Sequence, residues 1–155
     1  MSFGKFVKKY LAQIIISVLL IAVFLVTVLH FVFAEKVAKR EFLFPSADDK
    51  SVIVEYRKLP ENPRKNDIQV FVEELLLGSS VERTKNLFTV GTDVLSCFER
   101  EGVLYLNLSS DLLFKSKGVV PIAEGADFLE KNIKLNFPEI KTVELYVDGN
   151  LAFEK

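Results

Sequence analysis

The residues able to do chemistry are few. The 155-residue chain has one cysteine, Cys97, and one histidine, His30. A thiol or hydroxyl nucleophile needs a neighbouring base to activate it. His30 sits inside a long apolar run, so it does not serve Cys97 or the serines Ser79, Ser80, Ser109 and Ser110. Lys85 or Lys115 could support a Ser–Lys arrangement, but no spacing selects one of them. Cys97 therefore reads as a small apolar strand residue. A lone cysteine makes neither an internal disulfide nor a metal cluster.

The carboxylates give no stronger signal. Asp48 and Asp49 fall in a polar stretch and read as solvated charge. Glu73 and Glu74 are adjacent on a predicted helix, where neighbours splay apart rather than converge. Metal sites need clustered ligands, and no such cluster is present. Gly78, Gly91 and Gly102 are isolated, which excludes a glycine-rich phosphate loop. The expectation is a non-enzymatic chain with no catalytic, metal-binding or cofactor-binding residues.

The dominant feature is an apolar stretch over residues 11–34. It carries no charge, and its only polar side chains are Gln13, Ser17, Thr27 and His30. As a helix rising about 1.5 Å per residue it would reach roughly 36 Å, against a hydrocarbon core of about 30 Å. Lys5, Lys8 and Lys9 precede it, as in a signal peptide, but a cleaved apolar region is usually about 7–15 residues. The length favours an uncleaved signal anchor. Lys and Arg are nearly balanced across its two flanks. The short N-terminal tail favours an N-inside orientation, with the rest outside the cytoplasm. His30 reads as a neutral imidazole near the headgroups, because no second polar group completes a relay.

All 21 acidic residues follow residue 34, as do all but three of the 20 basic ones, leaving that portion at −4. Such a charge argues against nucleic acid and against broad binding to anionic lipid. The expected organisation is a tail (1–10), a transmembrane helix (11–34), a juxtamembrane linker (35–50) and one domain (51–155). In the linker, Phe42-Leu43-Phe44-Pro45 is expected to continue the helix before a polar segment.

Within the domain, residues 51–57 alternate as a strand, with Val52, Val54 and Tyr56 on one face. Ile68, Phe71, Val72, Leu75 and Leu76 recur at helical spacing over 67–77. Asn66 or Asp67 suits the N-cap and Gly78 the left-handed C-terminal position. Leu87, Phe88 and Val90 are expected to tuck under the domain. Residues 92–99 and 103–108 form a hairpin, with Leu104, Leu106 and Leu108 on one face and Val94, Ser96 and Phe98 opposite them. A second helix starts at Pro121, places Ile122, Ala126, Leu129 and Ile133 inward, and ends before Phe137-Pro138. Residues 142–147 are a strand with Val143, Leu145 and Val147 inward. Asp148-Gly149 then turns into a short strand at 151–153. The predicted class is α+β in the order β-α-β-β-α-β-β, with both helices on one face of a mixed sheet.

Several segments together resemble the GerMN domain of sporulation and spore-germination proteins. They are Phe71-Val72-Glu73-Glu74-Leu75-Leu76-Leu77-Gly78, Val90-Gly91-Thr92, Gly102-Val103-Leu104-Tyr105-Leu106-Asn107-Leu108-Ser109, Phe137-Pro138-Glu139-Ile140 and Val147-Asp148-Gly149. The likeness lies in their order and spacing over about Val52 to Phe153. It implies a non-enzymatic extracytoplasmic interaction domain, similar in fold to ring-building modules of bacterial envelope machines, with no catalytic residues to carry over. This chain departs from the usual pattern in having a single copy, a transmembrane anchor in place of a lipid one, and no proline or alanine in Ser80-Val81-Glu82-Arg83-Thr84. Two functions follow as expectations. One is an anchored module that binds an envelope protein or itself. The other is a module that binds peptidoglycan or a small ligand at the membrane surface.

Overall fold

The computed structural model describes residues 3–33, 37–60 and 65–153. The chain separates into two compact units, Met1–Lys36 and Val37–Lys155. The first is a single helix, α1 (Phe3–Phe33). Large apolar side chains along it, from Leu11 to Leu29, are exposed. Among the described residues, no helix is long and apolar enough to cross a membrane.

The second unit starts earlier than the sequence suggested. The expected linker over 35–50 is instead largely a strand, β1 (Val37–Pro45), paired antiparallel with β2 (Val52–Pro60). Phe42 and Phe44 lie two residues apart, so a strand points both to the same side. Both are fully buried there. Helix α2 (Asp67–Leu76) follows, then the hairpin β3 (Val94–Arg100) and β4 (Val103–Leu108). A short 3-10 turn (Ser110–Leu113) leads to helix α3 (Ile122–Asn136). The chain ends in β5 (Thr142–Val147) and β6 (Asn150–Leu151). There are thus two sheets rather than the single mixed sheet expected: β1-β2, and a four-stranded sheet in the order β3-β4-β5-β6. The β4–β5 pair is parallel, as a helical crossover through α3 requires.

Local signals account for most of these elements. The Asn66 side chain accepts a hydrogen bond from the Gln69 N–H at 2.6 Å and caps α2. The predicted stripe of α2, Ile68 to Leu76, is buried. Gly78 lies at φ +86°, where glycine relieves the strain a side chain would bring. Both hairpin turns, Glu101-Gly102 and Asp148-Gly149, have positive φ at both residues, matching the right-handed twist of their strands. Gly125 is needed for space rather than for its dihedral. A Cβ there would lie 2.4 Å from the Leu87 carbonyl oxygen, so α3 rests directly on that loop.

The core is shared by β1, α2, β4, α3 and β5. The Phe71 ring stacks on Phe42 at 4.7 Å and meets Phe137 edge-on at 5.5 Å. Leu104, Leu106 and Leu108 line the inner face of the larger sheet, with Leu129 and Ile133 among the buried residues of α3. Two expected orientations differ. Cys97, not Ser96 or Phe98, faces the core, because it is the partner of Leu106 across the ladder. An irregularity between Val94 and Ser96 shifts the register, and a one-residue slip reverses every side chain beyond it. Val90 is exposed, although Leu87 and Phe88 are buried as expected. Val147 shares the inward face of Val143 and Leu145 as expected, half-buried against the core.

The edge of β1 away from β2 is closed by side chains of α3. Asn132 accepts from the Leu43 N–H at 2.7 Å and donates to the Leu43 carbonyl at 2.9 Å. One helical turn on, Asn136 accepts from the Glu41 N–H at 2.9 Å and donates to the Glu41 carbonyl at 2.6 Å. The Pro45 carbonyl accepts from the Lys85 N–H at 2.9 Å. Four residues of helix rise about 6 Å and two residues of strand about 6.8 Å, so the two spacings nearly coincide. Asn132 is fully buried. Asn132→Leu, of similar volume, leaves the Leu43 N–H and carbonyl buried without partners. The expected loss is about 2–4 kcal/mol, measured by urea unfolding; a variant within ~0.5 kcal/mol of the parent would show that the edge is not closed this way.

Candidate functional site

The alternation of β2 buries the less apolar of its two faces. Ile53, Glu55, Arg57 and Leu59 turn inward, while Val52, Val54 and Tyr56 are exposed. Arg57 binds Glu55 in a two-point fork, Nε at 2.9 Å and Nη2 at 3.0 Å. Its Nη1 donates to the Glu74 carboxylate at 2.9 Å and to the Glu74 carbonyl at 3.3 Å, and Nη2 donates to the Gly78 carbonyl at 2.7 Å. These five contacts match the five N–H groups of a guanidinium. The cation also lies 4.9 Å from the Phe42 ring centre and at the C-terminus of α2, where positive charge is favoured. Glu55 accepts further from the Ser79 hydroxyl (2.8 Å), the Ser80 hydroxyl (2.8 Å) and the Ser80 N–H (3.3 Å). The fork with Arg57, followed by the two serine contacts, lowers the Glu55 pKa from 4.5 to about 2 against the opposing effect of burial.

Three of the four serines considered as nucleophiles donate to carboxylates. Ser79 and Ser80 donate to Glu55, and Ser109 donates to Asp111 at 2.8 Å. Lys85 and Lys115 are not hydrogen-bonded to these serines among the described residues. The adjacent acids diverge: Glu73 pairs with Lys65 and Glu74 with Arg57, at 2.5 Å and 2.9 Å. Asp48 pairs with Arg83 at 2.6 Å, whereas Asp49 accepts from Ser51. Cys97 is buried, with its pKa raised to about 11 by burial first and by the Glu73 charge second. The His30 side chain lies outside the described residues. Among the described residues, no group of three His, Cys, Asp or Glu could hold a metal ion.

A different surface has the composition of a contact site. On the outer face of the larger sheet, Phe98, Tyr105 and Glu144 form one row across β3, β4 and β5, and Ser96, Asn107 and Tyr146 form the next. The Phe98 and Tyr105 rings stack at 5.0 Å, with planes 12° apart. The Tyr146 hydroxyl donates to Glu144 at 3.0 Å, and this contact raises the tyrosine pKa. Asn107 accepts from the Gly149 N–H at 3.0 Å, pinning the β5–β6 turn beside the rings. Ser96, Phe98, Tyr105, Asn107, Tyr146 and Gly149 line an open concavity there. The sequence reading selected none of these as site residues. Their signal was the outward phase of three strands, legible only once the β3 register and the β4–β5 pairing are known.

The Germane family, described as sporulation and spore germination, matches residues 42–152. The chain belongs to the Germane family. The matched span begins inside β1, in keeping with a domain that includes this strand. A Treponema pallidum (strain Nichols) protein described as an uncharacterized lipoprotein is 30% identical over 87 residues, covering 56% of this chain and 65% of the lipoprotein. The match thus spans just under two thirds of that relative. The first GerMN domain of the Bacillus subtilis sporulation protein GerM superposes with a TM-score of 0.57 at 15% identity, covering 74% of this chain and 85% of that domain. The tandem GerMN domains of the same protein give 0.54 at 16% identity, covering 74% of this chain and 40% of theirs. These likenesses show that the Germane unit here has the GerMN fold.

Two measurements check the buried chemistry. A carboxylate whose pKa falls on folding adds stability above its ordinary value and loses it as pH drops through the folded one. The Glu55 contribution is therefore present above pH 4.5 and fades towards about 2. Glu55→Gln is expected to lower the urea midpoint at neutral pH and to flatten its decline across that window; an unchanged slope would refute the role of the fork. The Cys97 thiol is expected to resist a thiol reagent at pH 7.5 in the folded chain and to react fully in denaturant. Fast labelling of the folded protein would contradict its burial.

Proposed function

We propose that this Germane protein is a single-pass envelope protein. In this reading α1 is an uncleaved anchor, and the domain works outside the cytoplasm as a non-enzymatic contact module for a protein partner or a second copy. The observation that carries the reading is the uncovered aromatic face of Phe98, Tyr105 and Tyr146, on a domain in which, among the described residues, no buried side-chain nitrogen or oxygen lacks a hydrogen-bond partner. The uncharged run over residues 11–34 and the lipoprotein description of the Treponema relative support attachment to a membrane from outside. A role in sporulation or germination comes from the family description. Tethering would raise the effective concentration of a weakly binding domain, so a modest aromatic patch can suffice.

The stacked Phe98–Tyr105 pair, bordered by Asn107, Ser96 and Glu144, also favours a second reading: a cell-wall glycan laid across the rings. A photocrosslinking residue at position 98 of the full chain, in intact cells, separates these readings. Protein adducts or self-adducts that disappear when the probe moves to Lys131 on α3 are expected. If none forms, and muropeptides shift NMR signals of this face, the glycan reading replaces the first. Neither adducts nor shifts would remove both.

A further inference from the structure

The outer face of the β1–β2 hairpin follows five cross-strand rows: Val37 with Pro60, Lys39 with Lys58, Glu41 with Tyr56, Leu43 with Val54, and Pro45, itself buried, with Val52. A domain that hides Phe42 and Phe44 completely leaves Val37 54%, Val52 48%, Val54 45% and Tyr56 59% exposed on this face. Lys39 and Lys58 stand directly opposite each other, a pairing that repels in water. Among the described residues, neither lysine forms an ion pair. Lys39 lies instead over the Tyr56 ring, 4.6 Å from its centre. The acid on this face is Glu41, half-buried and held through its backbone by Asn136.

We propose that this hairpin face docks onto anionic phospholipid headgroups. The inference rests on reading α1 as a membrane anchor. Three residues lie in sequence between Phe33 at the end of α1 and Val37 at the start of β1. In the anchored reading this hairpin is the part of the domain nearest in sequence to the bilayer. Charge complementarity picks the occupant. Phosphates relieve the Lys39–Lys58 repulsion, and long lysine stems keep their ammonium groups in the polar layer while valines and a tyrosine reach the interface. The portion after residue 34 carries a net charge of −4, which repels an anionic surface everywhere except where bases cluster. Broad lipid binding is thus disfavoured while one orientation is selected. Such docking would hold the domain on its membrane in one orientation.

The chain contains no tryptophan, so a single introduced one reports its surroundings alone. The test uses the full chain in phosphatidylcholine vesicles with and without phosphatidylglycerol, both carrying brominated acyl chains. Y56W is expected to show blue-shifted emission and quenching several-fold above F98W, on the outer face of the other sheet. V54W repeats the reading in case Y56W disturbs folding. Removing the anionic lipid, or K39E/K58E in the Y56W background, is expected to weaken docking by roughly tenfold or more, taking each base as worth about 1 kcal/mol near the surface. Equal quenching at positions 56 and 98, or indifference to lipid charge and to charge reversal, overturns the inference. Alkaline extraction distinguishes the two levels. A retained chain with unquenched Y56W defeats the docking face alone, whereas release of the chain defeats the anchor and the docking face together.

Discussion

The Germane unit depends on closing the open edge of β1. A two-stranded sheet leaves two rows of backbone donors and acceptors unpaired, and the β1 row faces the domain's interior rather than water. Asn132 and Asn136 supply a donor and an acceptor each to Leu43 and Glu41. Two side chains thereby imitate a third strand while the helix that carries them buries Leu129 and Ile133. The near-equality of one helical turn and two strand residues makes this possible, and it fixes the position of α3 along β1. The same helix provides the crossover that sets β5 parallel to β4.

Arg57 has a comparable role at the opposite side of the hairpin. Its contacts run to its own strand through Glu55 and to the end of α2 through Glu74 and Gly78. A hairpin with Glu55 and Arg57 on its inner face would be poor core material if either charge were unmatched. Matched, the pair holds β2 to α2 and leaves the Val52, Val54 and Tyr56 face outside. Two sheet faces of the domain thus expose apolar side chains: an aromatic one on β3–β5 and an aliphatic, lysine-rimmed one on β1–β2. In the proposed function the first would receive a partner or glycan, and in the further inference the second would meet a lipid surface.

Much of the fold was legible in residue order. Helix α2 showed its stripe, a cap at Asn66 or Asp67 that the structure assigns to Asn66, and its Gly78 stop. The β3–β4 hairpin and the Asp148-Gly149 turn showed their glycines, and Phe137-Pro138 marked the end of α3. The illegible parts share one cause. Residues 37–45 follow a long apolar helix and contain no turn signal, so their strand character depends on β2 and the α3 asparagines. Ser96 and Phe98 were set on the wrong face because a backbone irregularity leaves no mark in side-chain type. The aromatic face was missed for the same reason, since its members come from three strands distant in sequence.

The sequence by itself determined an uncharged apolar run at one end, an acidic α+β domain at the other and a Germane pattern of helix stops and turns. These are local properties, set by periodicity, by proline and by glycines at positive φ. Only the tertiary structure decided that the domain begins at Val37, that its strands divide into two sheets, and that Glu55 and Arg57 rather than Val54 and Tyr56 face inward. Those outcomes depend on which distant groups satisfy buried backbone atoms and charges. Asn132 reaches Leu43 across 89 positions, and Arg57 reaches Gly78 across 21, distances in sequence that no local pattern records.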